Sequence, residues 1–478
     1  MRTIRVGLIG LGTVGSGVVE ILRRHRDDFA RRAGVDIELV RFADRNTDRF
    51  GDLGLPPEAC TDDAFEVCAA PEVDVVIELI GGTGVAREVV LAALRNRKSV
   101  VTANKALLAT HGEEVMEAAE KAGVEIRFEA SVGGGIPIIE PLKHALTSNE
   151  ITSVMGIVNG TTNYMLTRMA ENGLDYATAL AEAQEKGFAE ADPTADVDGL
   201  DAAAKIAILA SIAFNSRVVL EQVPAEGIRT LSPADLDYAS EIGCAIKLLA
   251  IANRTGDGID IRVHPTMIPK SHPLASVNGV YNAIYVIGDA VGETMFFGEG
   301  AGSLPAASAI VGDLVEVARN LQSECAPLVG CTCTEHHPVK DIAQLKTGYY
   351  IRLTVADKPG VLAATAKVFG DHGVSLASVI QRPSADGATA ELVYVTHLAT
   401  EPTCAPRSPR SRAIPSWAES TRSSASRNSR VRVRGRRSAG TGHLGQPRPG
   451  LRQLRARTRP AQPLRGRTRR RVERRGRR

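Results

Sequence analysis

The chain has 478 residues, 44% of them hydrophobic, which is enough for two to four domains with sizeable cores. Its formal net charge of +3 hides two unlike parts: residues 401–478 hold 24 Arg, no Lys and 3 Glu, a net of +21, so residues 1–400 carry −18. Seven cysteines at irregular spacing exclude a disulfide framework, and neither a secretory cleavage pattern nor an apolar run of about 18 residues occurs, so a cytoplasmic location is expected and a membrane partner is not.

The first element is the apolar run from Arg2 to Ile9, which ends in Gly10-Leu-Gly12-Thr-Val-Gly15 and is followed by an amphipathic pattern through Val18, Val19, Ile21 and Leu22. Strand, glycine turn and helix in this order predict a dinucleotide site. Gly10 permits the turn, Gly12 lets the backbone approach a pyrophosphate, Gly15 lets helix and strand pack, and the helix N-terminus faces the phosphates. A second strand, Ile37 to Ala43, ends at Asp44-Arg45. An acid there would hold the ribose 2′-OH of NAD and an arginine the 2′-phosphate of NADP, so the choice stays open with a lean to NADP. The interval from the glycines is long, and a first helix extended through Arg23 to Arg32 is expected to absorb it. Strands at Val73–Ile80 and Ser99–Thr102, each followed by a helical pattern, argue for a Rossmann-type doubly wound parallel sheet. Lys105, just past the end of the second of these, is a site candidate.

Glu129 to Glu140 contains a second glycine turn, Val132-Gly-Gly134-Gly-Ile136, without the phosphate pattern. With a carboxylate from Glu129 it could ligate a hard cation through oxygen, or it is a tight interdomain connection. A strand at Ile151–Val158 and an Asn159-Gly160-Thr-Thr162 cap follow. Between Lys186 and Ala210 five carboxylates precede Lys205, which lies inside an apolar helix. Asp201 and Lys205, four apart, share a helix face in the favourable acid-before-base order. Such a pair alone is most often a solvated surface bridge. Here the neighbours Ala202 to Ala204 and Ile206 to Ala210 offer the ammonium little solvation, a setting that tunes proton donors. Strands near Ile259–Val263 and Ala283–Val291 suggest a sheet beside these helices. Gly298 to Pro305 then leads into a helix over 306–321.

These motifs together, GLGTVG at 10–15, NKALL at 104–108, EASVGGGIPII at 129–139, NGTTNY at 159–164, the segment 186–209 and GEGAGSLPAASAIVGDL at 298–314, resemble the bacterial homoserine dehydrogenase family with a C-terminal ACT domain. The resemblance implies NAD(P)H-dependent interconversion of L-aspartate 4-semialdehyde and L-homoserine, on the route to threonine, methionine and isoleucine. It implies Lys205 as proton donor with Asp201 beside it, Lys105 at cofactor and substrate, and Glu190, Asp196, Asp201 and Lys205 around the substrate. Gly10, Gly12, Thr13, Val14, Gly15, Arg45, Lys105, Gly187 and Gly302 would hold the cofactor, NADP or NAD. Glu129, Val132, Gly134 and Ile136 would hold a monovalent cation, sodium or potassium. It further implies a homodimer or homotetramer.

The expected organisation is a nucleotide domain at 1–130 with helix 305–321 packing back on it, an α+β catalytic and dimerisation domain at 131–304, and a linker at 331–348. A ferredoxin-like ACT module at 349–400 follows, and a disordered tail at 401–478. Cys331-Thr-Cys333 in the linker lacks metal-ligand spacing and reads as structural. The module opens with Asp357-Lys-Pro359-Gly360 but shows only three of its strands, no final helix or strand being visible, so an amino-acid effector there is expected to act weakly. The arginine-rich, lysine-free tail fits a shifted reading frame better than a nucleic-acid-binding arm, which would mix Lys with Arg and interleave aromatics. A non-catalytic nucleotide sensor on the same fold is the alternative reading.

Overall fold

The computed structural model describes residues 2–325, 330–384, 387–400 and 412–416. Strands β1 (Thr3–Ile9), β2 (Asp36–Ala43), β3 (Cys60–Thr61), β4 (Val75–Glu78), β5 (Ser99–Thr102) and β6 (Ile126–Arg127) form one sheet in the order β3-β2-β1-β4-β5-β6. Every pairing in it is parallel. The order reverses between β1 and β4, so a crevice opens at their carboxyl ends. Both faces are covered. Val67, Val89, Leu94, Leu107 and Val115 bury one side of the sheet, while Val18, Ala307, Ile310 and Leu314 cover Ile4, Val6 and Leu8 on the other. The helix Ser303–Gln322 thus returns, late in the chain, to the nucleotide sheet.

The first helix is shorter than expected. It runs Thr13–Arg24 and stops at His25, after which Arg26–Asp28 and a π-turn at Phe29–Ala33 lead to Gly34 at φ 70°. The charged segment has no apolar stripe to hold a continued helix on the sheet, and local Arg31–Asp28 and His25–Asp28 contacts take over.

A second sheet is antiparallel through β7 (Ile151–Ile157), β8 (Cys244–Thr255), β9 (Gly258–Pro269), β10 (Tyr281–Gly288) and β11 (Gly292–Glu299), ordered β11-β10-β7-β8-β9. One face carries Ile246, Leu248 and Ala250 against the helices Gly160–Asn172 and Leu200–Ala213, and the other buries Leu249 and Ile251 under Leu274 and Val277. The sheet continues through β12 (Lys346–Ala356), β13 (Leu376–Pro383) and β14 (Thr389–Thr396), with the helix Val361–Asp371 between β12 and β13.

One expectation about the module is corrected. Arg412–Ser416 forms a further strand, antiparallel to Gly348–Arg352 of β12 and touching β9 at Ser416↔Met267. It stands where a ferredoxin-like order requires a fourth strand. Main-chain pairing to an open sheet edge needs no apolar alternation, so the strand left no signature in the sequence. The rest of the tail, on which the disorder, reading-frame and nucleic-acid expectations fall, lies outside the described residues. Among the described residues no helix is long and apolar enough to cross a membrane.

Candidate active site

The phosphate end of the site is built by the β1 turn. Gly10 adopts φ 92° and donates its N–H to Ala43 O at 2.9 Å. A Cβ on Gly15 would meet Gly10 O at 2.1 Å, so only glycine lets the helix start this close to the strand. The helix N-cap, Gly12, makes no side-chain cap bond. The first-turn N–H groups of Thr13, Val14 and Gly15 are therefore left for an anion, aided by the helix dipole. Ser303 Oγ donates to Thr13 O at 2.6 Å, which draws Gly302, at φ 128°, to the same turn.

Beside the glycines lies a cavity of about 420 Å³ lined by Gly12, Asp44, Arg45, Arg49, Asp63, Phe65 and Ile80. Asp44 is already engaged. Its carboxylate accepts N–H bonds from Leu11 at 2.6 Å and Asn46 at 2.8 Å, so it holds the turn rather than waiting for a ribose. Arg49 stands 4.0 Å from Asp44 and is a cation the sequence reading missed; its only signal was a second arginine four residues after Arg45. A second missed group is Glu78, fully buried at the end of β4. It accepts N–H bonds from Ile80 and Gly81 and the hydroxyl of Thr102, while Asn104 donates to Gly82 O. These bonds fix the loop that borders the crevice.

The centre of the site is Asp201. It sits in the first turn of the helix Leu200–Ala213, of which every residue but Leu200 is buried. One carboxylate oxygen pairs with Lys105 Nζ at 2.6 Å, and the other accepts from Lys205 Nζ at 2.8 Å and Asn159 Nδ2 at 2.9 Å. Burial works against the charge of Asp201, but Lys205, then Lys105, then Asn159 outweigh it and hold its pKa far below the usual carboxylate range. Lys105 is likewise desolvated, yet Asp201 keeps its pKa above the ordinary lysine value, with Asp196 and Glu190 adding to the effect. Lys205 also donates to Val158 O at 2.7 Å. An ammonium has three N–H bonds, so one is left without a partner among the described residues. Asn159 completes the cluster by donating to Asp196 Oδ1 at 2.7 Å and capping the helix Gly160–Asn172 through Thr162 N.

Lys105, Asp196, Asp201 and Lys205 are thus brought together, with Glu190 near enough to act on Lys105. The Glu190 side chain is exposed and bonds to none of the described residues, while its carbonyl accepts from Gln184 Nε2 at 3.0 Å. Gly187 is exposed at φ 73° in the same loop.

The Glu129 segment differs from expectation. Its carboxylate does not turn toward the glycine loop: it accepts three main-chain N–H bonds, from Ile138 at 2.5 Å, Ile139 at 2.8 Å and Glu140 at 2.8 Å. An anion facing successive N–H groups gains more there than across a loop of carbonyls. Burial raises the pKa of Glu129 against these bonds. The carbonyls of Val132, Gly134 and Ile136 are buried and accept no bond from the described residues, and Ser131 Oγ is buried without a partner.

A parallel sheet with a glycine phosphate turn, facing a lysine–aspartate–lysine cluster, defines an NAD(P)-dependent oxidoreductase acting on a CH–OH group. Known proteins narrow this class. Residues 10–129 match the family model "Homoserine dehydrogenase, NAD binding domain", residues 137–315 match "Homoserine dehydrogenase", and residues 349–403 match the ACT domain. The homoserine dehydrogenase of Synechocystis is 48% identical over 404 residues, covering 83% of this chain and 93% of that protein. That of Pseudomonas aeruginosa is 44% identical over 407 residues, covering 84% and 93%. The crystal structure of a homoserine dehydrogenase from Thiobacillus denitrificans superposes with a TM-score of 0.82 at 42% identity, over 87% of this chain and 99% of that one. A hyperthermophilic archaeal homoserine dehydrogenase in complex with NADPH gives 0.57 at 26% identity, over 66% and 98%. The chain belongs to the homoserine dehydrogenase family, the enzymes that interconvert L-aspartate 4-semialdehyde and L-homoserine with a nicotinamide cofactor.

Proposed function

We propose that Lys205 protonates the aldehyde oxygen during reduction, with Asp201 as the group that pairs with it and aims it. The observation that carries this is the bonding of Lys205: two N–H bonds are fixed by Asp201 and Val158, and the third is left for a substrate oxygen. When bound, the nicotinamide supplies the hydride; the protein supplies charge and position where oxygen becomes negative. Lys105, on the other side of Asp201, contacts cofactor and substrate carboxylate. Glu190 receives the substrate ammonium, and Asp196 is held for the same end of the substrate by Asn159.

The cofactor lies across Gly10, Gly12, Thr13, Val14 and Gly15, with Gly187 and Gly302 against it. Arg45 and Arg49 favour NADP over NAD, because Asp44 is committed to the turn. Carbonyls of Val132, Gly134 and Ile136 hold a sodium or potassium ion that stiffens the loop; no step of the reaction passes through it. At the ACT module a cavity of about 370 Å³ lined by Asp357, Lys358 and Gly360 is proposed for an amino-acid effector. A weak response to threonine is expected, because the sequence after Thr400 lacks the apolar spacing of a second helix. Homo-oligomers are proposed through the β10–β11 edge, where Tyr281, Met295 and Phe297 are exposed.

The test is Lys205→Ala, assayed for reduction and for cofactor binding. The proposal expects turnover to vanish while NADPH binding by fluorescence is unchanged. Full activity in that variant overturns the assignment.

A further inference from the structure

Away from the reaction centre, Cys331 lines two adjoining cavities of about 310 and 40 Å³, both also lined by Met116, Phe128 and Lys143. Arg217 lies 3.7 Å from Cys331 Sγ. Lys143 reaches over the Phe128 ring at 5.7 Å. Neither cation forms an ion pair with a carboxylate among the described residues, although Glu140 acts on Lys143 and Glu120, Glu125, Glu129 and Asp313 also line the larger cavity; Arg217 is the cation that reaches the sulfur. Cys333, two residues on, donates to Ser211 O at 3.4 Å. Ser211 belongs to the helix that carries Asp201 and Lys205.

We infer that Cys331 and Cys333 form a peroxide-reactive dithiol, with Cys331 as the attacking thiolate and Cys333 as the resolving thiol. The thiolate of Cys331 attacks one oxygen of a hydroperoxide; the O–O bond breaks, and the departing oxygen takes a proton and leaves as water or an alcohol. Cys331 is then a sulfenic acid. The sulfur of Cys333 attacks it, an S–S bond forms, the S–O bond breaks, and the hydroxyl leaves as water with the Cys333 proton. Two thiols lose two electrons, and the peroxide gains them. Closure removes the Cys333 bond to Ser211, the tie between the linker and the catalytic helix.

Electrostatics agree with the geometry. The neighbouring Cys333, then Arg217 and Lys143, lower the pKa of Cys331 against burial, while that of Cys333 rises. Among the other described cysteines, Cys68 is buried and pushed up to about 11, and Cys60 and Cys244 are also raised by burial, whereas Cys325 is exposed like Cys331 but has no cation bonded to its sulfur among the described residues. Cys325 is therefore an internal control.

The test uses full-length protein and mass spectrometry. Iodoacetamide at pH 6 should alkylate Cys331 about fivefold faster than Cys325, the gain in thiolate being partly offset by its lower nucleophilicity. The Cys331 rate should stay flat from pH 6 to 8. Hydrogen peroxide at one equivalent should yield a Cys331–Cys333 disulfide before Cys325 is oxidised. In Cys333→Ser the disulfide cannot form, and dimedone should trap the sulfenic acid at Cys331. Arg217→Gln should slow Cys331 alkylation at pH 6; if that variant does not fold, the wild-type pH profile decides alone. A Cys331 rate that climbs from pH 6 to 8, or peroxide damage reaching Cys325 first, overturns the inference.

Discussion

Asp201→Asn is the change on which the cluster turns, because it removes one charge and nearly no volume. Asp201 meets Lys105 at 2.6 Å and Lys205 at 2.8 Å. At these separations, and an effective dielectric of about 20, each attraction is on the order of 6 kcal/mol before desolvation is counted. Desolvation offsets much of that, and breaking a buried pair by removing one partner costs about 3–5 kcal/mol. The asparagine NH₂ would also face donors in either orientation, Lys105 on one side or Lys205 and Asn159 on the other. Without that carboxylate the Lys205 ammonium loses the partner that aims it. Reductive kcat should fall by about 10²-fold or more, the low end of a positioned general acid's contribution. A second readout is acid stability. The folded pKa of Asp201 is depressed, so its stabilisation is present above the unfolded value of about 3.9 and fades as pH falls below it. Wild type and variant should therefore differ in urea midpoint at pH 7, and the gap should narrow progressively as pH falls below about 4. A variant with wild-type kcat refutes the reasoning.

Three further outcomes follow from other parts of the structure. Arg49→Ala should raise the KM for NADPH by about 10-fold, the loss of one charge-assisted bond, and leave that for NADH nearly unchanged; steady-state kinetics with both cofactors checks it. Asp313, 4% exposed, accepts the Glu129 N–H at 2.7 Å, and burial first, then the Glu129 carboxylate against that bond, pushes its pKa up to about 8. Because the folded pKa is raised, stability is highest below the unfolded value of about 3.9 and declines toward pH 8. Asp313→Asn should remove that decline and raise the Tm at pH 8. Arg352 bonds Asp235 at 2.8 Å and Glu391 at 2.7 Å, joining the ACT sheet to the helix Pro233–Glu241. Arg352→Ala should cost about 3–5 kcal/mol, since it leaves Asp235 buried and unpaired, and Asp235→Asn in the same chain should restore part of it.

Much of the site was legible because its chemistry conflicts with its surroundings. A lysine among alanines and isoleucines demands a counter-ion, and Asp201 at the preceding helical turn supplies it. The phosphate turn was equally plain, since glycine spacing reports backbone contact directly. Long-range pairings were not legible. Asn159 reads as a helix cap, which it is, and nothing local shows that its other end binds Asp196 and Asp201. The partners of Glu129 were hidden for the same reason: only folding shows that residues 138–140 present three N–H groups to its carboxylate. Strand β8 left no alternating signal because Ile246 to Ala252 are buried on both faces, and such a run reads as helix as readily as strand. The return of helix Ser303–Gln322 to β1 was legible only through the family resemblance.

The most direct measurement is a crystal structure of the enzyme with NADP and L-homoserine. The account predicts Lys205 Nζ within about 3 Å of the homoserine hydroxyl, still bonded to Asp201, with the nicotinamide ring on the opposite side of the carbinol carbon. A Lys205 ammonium turned away from that hydroxyl, with another donor in its place, would contradict the central claim.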